Sequence, residues 1–138
     1  MYHHFDSTKN KIIGRRFLTA VQTDTFAIKV ETDKGDIAIT VHGDCCSESR
    51  FYDLVIPEEC YGAEIIDVNQ NVNKYNNLSE DEVFKMAWPD QSFNQSWEVL
   101  SIWDIEIVTK NGSILLRHVN NSNGYYDGMT DYIFSNDN

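Results

Sequence analysis

"FAIKVETDKGDIAITVHGD", Phe26 to Asp44, and "WDIEIVTKNGSILLRHVNN", Trp103 to Asn121, decide the fold, because they are two copies of one pattern. Laid over each other without gaps, Ile28 meets Ile105, Val30 meets Ile107, Thr32 meets Thr109, Gly35 meets Gly112, Ile37 meets Ile114 and Ile39 meets Leu116. Each copy is an alternating apolar run, a turn with glycine and a second alternating run, the signature of a β-hairpin. Two-residue loops at Lys34-Gly35 and Asn111-Gly112 are expected to set Val30 opposite Ile39 and Ile107 opposite Leu116. Lys29 then faces Thr40, and Glu106 faces Arg117. Apolar pairs fall on one side and polar pairs on the other, as a half-buried hairpin requires.

Each hairpin has a leader. "IIGRRFLTAVQ" (Ile12 to Gln22) and "CYGAEIIDVNQ" (Cys60 to Gln70) share a glycine followed by an apolar strand. The chain reads as strand plus hairpin, twice. Such a duplication favours a pseudo-twofold arrangement as one curved sheet, a half-barrel or a sandwich. Between the fourth and fifth of these strands lies an insertion. Ser79-x-x-Glu82 forms a capping box, Val83, Phe84, Ala87 and Trp88 recur at helical spacing, and Pro89 stops the run. The expectation is one α+β domain over 1–138, mostly antiparallel β. Its first β unit spans 12–43 and its second 63–120, with a helix at about 79–88 and a tail at 129–138.

A length of 138 residues with 41% hydrophobic and 12% aromatic content suits one packed core. No apolar run is long enough to span a bilayer, and the opening "MYHHFDSTKNK" lacks the apolar stretch of a secretory signal. Three cysteines, Cys45, Cys46 and Cys60, leave one without a partner, which fits a reducing cytoplasm. The formal net charge of −11 disfavours direct contact with DNA or RNA and attracts basic protein surfaces. An exposed sheet edge would allow a twofold homodimer.

The loops after the hairpins, "GDCCSESRFYD" and "NNSNGYYDG", each lead from small polar residues into an aromatic pair and an acid. They supply the candidate ligand or partner residues Asp44, Cys45, Cys46, Ser47, Arg50, Tyr52, Asn121, Asn123, Tyr125, Tyr126 and Asp127. A nucleophilic cysteine needs a nearby base, and His42 stands three residues before Cys45. On a strand the two would point to opposite faces, and core packing or a turn explains the cysteines as well. Zinc needs four ligands, and Cys45, Cys46, Cys60, His42 and His118 match no standard spacing. Phe51, Tyr52, Tyr125 and Tyr126 could stack a nucleotide base beside Arg50 or Arg117, although aromatics serve burial first. No phosphate-binding glycine loop and no Gly-x-Ser-x-Gly elbow is present. No catalytic residue, metal or cofactor is therefore assigned.

"GDCCS", followed much later by "NSNGYYDG", resembles an uncharacterised family of small bacterial and phage proteins. The resemblance runs from Gly14 to about Gly128. The chain departs from the family pattern at Arg50, where tryptophan is usual, and at Asp127, where glycine is usual. Occurrence in phages implies an accessory role inside an infected cell. The expected function is non-enzymatic: an anti-defence inhibitor that occupies a basic groove of a host protein with Glu80, Asp81, Glu82, Asp104 and Glu106. The alternatives are a module that sequesters a small nucleotide through the two loops, and a cysteine-dependent enzyme.

Overall fold

A computed structural model describes residues 3–43, 47–72, 77–91, 99–122 and 129–135. In chain order these form α1 (His3–Ile12), β1 (Phe17–Asp24), β2 (Ala27–Thr32), β3 (Gly35–His42), β4 (Ser47–Val55), a 3-10 turn (Glu58–Cys60), β5 (Ile65–Val72), α2 (Glu80–Ala87), β6 (Val99–Thr109), β7 (Gly112–Ser122) and β8 (Met129–Phe134). The strands make two open four-stranded antiparallel sheets, β1-β2-β3-β8 and β4-β7-β6-β5. The mostly antiparallel α+β class is as expected. Two strands exceed the duplicated units: β4, where a strand exit was expected, and β8, which occupies most of the expected tail.

Their placement completes the symmetry. The first leader and hairpin, β1-β2-β3, are finished by β8, and the second, β5-β6-β7, are finished by β4. Each unit thus lends its fourth strand to the other. The leaders cross at the centre with reciprocal hydrogen bonds. Gly14 N donates to Ile65 O (2.8 Å) and Gly62 N to Phe17 O (2.6 Å); Phe17 N donates to Ala63 O (2.9 Å) and Ile65 N to Arg15 O (2.8 Å). Gly14 and Gly62 adopt φ of 98° and 80°, the left-handed region that side chains avoid, so the shared leader glycine has a backbone cause.

The hairpin register differs from expectation by two residues. The loops are Asp33-Lys34 and Lys110-Asn111, so Val30 faces Ile37, Ile28 faces Ile39, Ile107 faces Ile114 and Ile105 faces Leu116. The cause is the threonine before each loop. Thr32 Oγ1 accepts from Lys34 N and Thr109 Oγ1 from Asn111 N, both at 3.2 Å. Each hydroxyl also donates to the glycine carbonyl, Gly35 O or Gly112 O. This side-chain closure ends the turn one step early and makes glycine the first residue of the return strand. A shift of two preserves which face each residue takes. Ile28, Val30, Ile37, Ile39, Ile105, Ile107, Ile114 and Leu116 are accordingly all buried in one core between the sheets, with Phe17, Phe51 and Val68.

Two helices close the structure where one was expected. α1 reaches the core through Ile12 and Phe5, seven residues apart and so on one helical face. Its Lys9 pairs with Asp67 of β5 at 2.9 Å and holds that carboxyl below the usual range. α2 begins with the expected capping box: Ser79 N donates to Glu82 Oε1 (2.9 Å) and Glu82 N to Ser79 Oγ (3.2 Å). Its Val83, Phe84, Ala87 and the following Trp88 pack on Tyr52, Leu100 and Val119, on the face of the second sheet turned away from the main core.

Candidate functional site

The pairing of strand ends brings the described residues that flank the two singled-out loops together in pairs. His42 at the end of β3 pairs with Met129 at the start of β8, and Ser47 at the start of β4 pairs with Ser122 at the end of β7. β3 is thus next to β8 and β4 next to β7. Asp44, Cys45, Cys46, Asn123, Tyr125, Tyr126 and Asp127 lie outside the described residues.

Toward its C-terminal end, β7 turns polar side chains into the interior. Asn120 Nδ2 donates to Ser49 Oγ (2.8 Å) and to Ser47 Oγ (3.2 Å), and Ser49 Oγ donates to His42 O (3.2 Å). Asn121, half-buried, pairs in register with Glu48. His118 is 6% exposed, meets Phe51 edge-on at 5.9 Å, and has no hydrogen-bond partner on either ring nitrogen. Burial pushes its pKa down to about 4, so the ring is neutral at pH 7.

His42 points outward on β3, where its Nε2 meets Thr40 Oγ1 (2.8 Å) and Asp131 Oδ2 (3.3 Å). Cys60 is buried beside Gly112, at the far end of β7 from His118, about 20 Å away along a strand. The described members of the zinc set are thus dispersed. Among the described residues, no three His, Cys, Asp or Glu side chains are placed to share a metal ion.

Arg50 and Tyr52 serve α2. The Arg50 guanidinium donates to Ala87 O (3.0 Å), pairs with Glu48 Oε2 (2.8 Å) and lies over the Trp88 ring at 5.2 Å. Trp88 Nε1 in turn donates to Glu48 Oε1 (3.2 Å). A cation on the open carbonyls of a helix end is favourable, and this clamp fixes the C-terminus of α2. Tyr52 is mostly buried under the helix and Phe51 in the main core, and with Arg50 and Trp88 both line a pocket of about 450 Å³ at the C-terminal end of α2.

The acidic set divides. Glu80, Asp81 and Glu82 are exposed in the first turn of α2. Asp104 and Glu106 are 0% and 5% exposed, so they are not part of an acidic surface. They stand on the same face of β6 as the residues under α2, and the true register sets Asp104 opposite Arg117. Arg117 Nε lies 3.5 Å from Asp104 Oδ1, and Asn69 Nδ2 donates to Glu106 Oε1 (3.2 Å). Burial is the main cause that pushes the Asp104 carboxyl up to about 6; Arg117 opposes the rise, and Asp53 and Glu106 add to it.

These two buried groups act on stability in opposite senses. Between its ordinary value of 3.8 and about 6, Asp104 holds a proton in the folded state that it lacks when unfolded, so stability falls as pH rises. Between about 4 and 6.5, His118 takes up a proton only on unfolding, so stability rises with pH. The expected urea midpoint is therefore nearly level from pH 4 to 6.5. A His118→Phe variant should expose the falling limb and Asp104→Asn the rising one. Parallel profiles for all three chains would show that neither group titrates as assigned.

The described residues define a pseudo-twofold, two-sheet β protein with one acid-tipped helix clamped to an outer face. The chain belongs to the family described as Domain of unknown function (DUF7448), whose model matches residues 10–131. No curated protein and no solved structure shows significant similarity to it. Among the described residues, no helix is long and apolar enough to cross a membrane.

Proposed function

We propose that the protein is a non-enzymatic, phage-type accessory protein that binds and inhibits a host protein, in the manner of an anti-defence inhibitor. The first turn of α2 is its contact, set into a Lys/Arg-rich groove. The observation that carries this reading is the exposure of Glu80 and Asp81 on a helix held at both ends, by the Ser79–Glu82 box and by the Arg50–Glu48–Trp88 clamp. A clamped helix presents charge with little ordering cost on binding. The formal charge of −11 adds long-range attraction to a basic surface, and the family-level likeness to phage proteins supports the setting.

The test is affinity capture from a bacterial host lysate, followed by binding measurements on the captured protein. Affinity is expected to fall at least tenfold between about 50 and 300 mM salt, since exposed charges are screened over that range. Glu80→Lys with Asp81→Lys should remove binding, whereas Glu82 is left in place because it caps the helix. A partner whose affinity ignores both salt and the double reversal would overturn the reading.

A further inference from the structure

The outer face of the first sheet is built from alternate residues of β1, β2, β3 and β8. Opposite partners in an antiparallel ladder share a face, so register defines its rows. One row runs Val21, Lys29, Ala38 and Ile133; the next runs Asp24, Ala27, Thr40 and Asp131. Their strand neighbours Ile28, Val30, Ile37 and Ile39 are buried in the main core, so these side chains point outward.

A sheet face left to water is ordinarily polar. This one has Val21 and Ile133, 46% and 58% exposed, at the two ends of one row. Ala27, Ala38 and Thr40 between them are small, so the middle of the face lies lower than its margins. The margins, β1 and β8, stand three strand spacings apart, about 14 Å, and an α-helix is about 10 Å wide. The pseudo-twofold supplies a precedent. α2 rests on β4 and β7 of the second sheet, and the corresponding strands here are β8 and β3.

Charge selects the occupant. Asp24, Glu31, Asp36 and Asp131 stand on this face with Lys29 and His42. Lys29 Nζ is matched by Glu31 Oε2 at 3.4 Å, and His42 Nε2, a cation only when protonated, by Asp131 Oδ2 at 3.3 Å. The carboxylates of Asp24 and Asp36 are surplus even then. The adjoining turn, Asp33-Lys34, adds one charge of each sign. A second copy of the chain would bring a net-negative face against itself, and a nucleic acid or an anionic bilayer would be repelled.

We infer that the outer face of the first sheet docks a basic amphipathic helix of a partner protein. The apolar stripe of that helix lies on Ala27 and Ala38 between Val21 and Ile133, and its Lys or Arg side chains reach Asp24 on one margin and Asp131 on the other. This face and α2 are both turned away from the core between the sheets, so they lie on opposite sides of the molecule. Docking here is therefore independent of the contact assigned to Glu80 and Asp81.

The experiment uses a synthetic helical peptide of about four turns, with Leu and Ala on one face and Lys on both flanks. Its binding to the full chain is measured by fluorescence anisotropy. One control peptide carries Glu in place of Lys, and a second has the same residues in an order that breaks the apolar stripe. Ala38→Tyr fills the low middle of the face without changing its charge, and Asp131→Lys reverses one margin. Both variants, shown folded by their thermal transitions, are expected to bind the basic peptide at least tenfold more weakly, and the wild type to bind both controls at least tenfold more weakly. Glu80→Lys with Asp81→Lys should bind as the wild type does. The inference is overturned if the basic peptide does not bind, if either control matches it, or if a folded variant binds it normally. Loss of binding in Glu80→Lys with Asp81→Lys alone would move the peptide to α2 and also overturn it. So would a wild-type dimer that Ala38→Tyr converts to monomer, which would assign the face to a second copy.

Discussion

Arg117→Leu is expected to cost about 3–5 kcal/mol of stability at pH 7.5, read from urea denaturation. The arginine and Asp104 have side chains only 12% and 1% exposed. At this pH Asp104 is ionised, and Glu106 and Asp53 add negative charge around it. Removing the guanidinium leaves an uncompensated buried carboxylate, the situation in which breaking an ion pair is most damaging. Two further results follow from the same cause. Acidification toward pH 5 should recover part of the loss, because a protonated Asp104 no longer needs the cation. Asp104→Leu combined with Arg117→Leu should be less destabilised than Arg117→Leu alone, since the stranded charge is gone. A loss below about 1 kcal/mol for Arg117→Leu would show that the pair does not balance charge in this face.

Gly43→Ala is expected to cost about 3 kcal/mol, the upper end for atoms forced into filled space. Gly43 directly follows β3, four residues before β4 begins in the opposite sheet. A Cβ built on it would overlap the backbone carbonyl of Ser47 and press on Glu48 Cα. Backbone cannot rotate away as a side-chain tip can, so the crossover must open. Opening it shifts the start of β4, where Ser47 and Ser49 accept from Asn120. Gly14, by contrast, would meet nothing within 4 Å, so Gly14→Ala carries backbone strain alone and should cost less. Equal losses at the two glycines would discount the steric argument.

The hairpins were legible because alternation and repetition state the same thing twice, and α2 because Ser79 and Glu82 form a local hydrogen-bonded motif. Register was not, because Thr32 and Gly35 compete to define the turn and only the hydroxyl geometry decides. β4 hides its period behind a bulge between Phe51 and Asp53. β8 is six residues of weak contrast, and α1 anchors itself through little more than Phe5 and Ile12. Among the candidate site residues, Glu80 to Glu82 are exposed in the first turn of α2. Asp104 and Glu106 are not exposed, because alternation tells which face a residue takes and not whether that face is wet. Of the interior pair, His118 entered only as a zinc candidate without a standard spacing, and Asn120 gave no signal beyond sitting on the apolar side of a strand.

The exchange of fourth strands has a consequence for biosynthesis. When β3 leaves the ribosome, the strand that will cover its far edge is still roughly ninety residues from being made, a delay of about 5–20 s at ordinary elongation rates. Throughout that interval the nascent chain carries a half-built sheet with an open, pairing-competent margin. The second sheet has all four of its strands once β7 is made, whereas the first waits for β8, so the half that is begun first is the last to be completed.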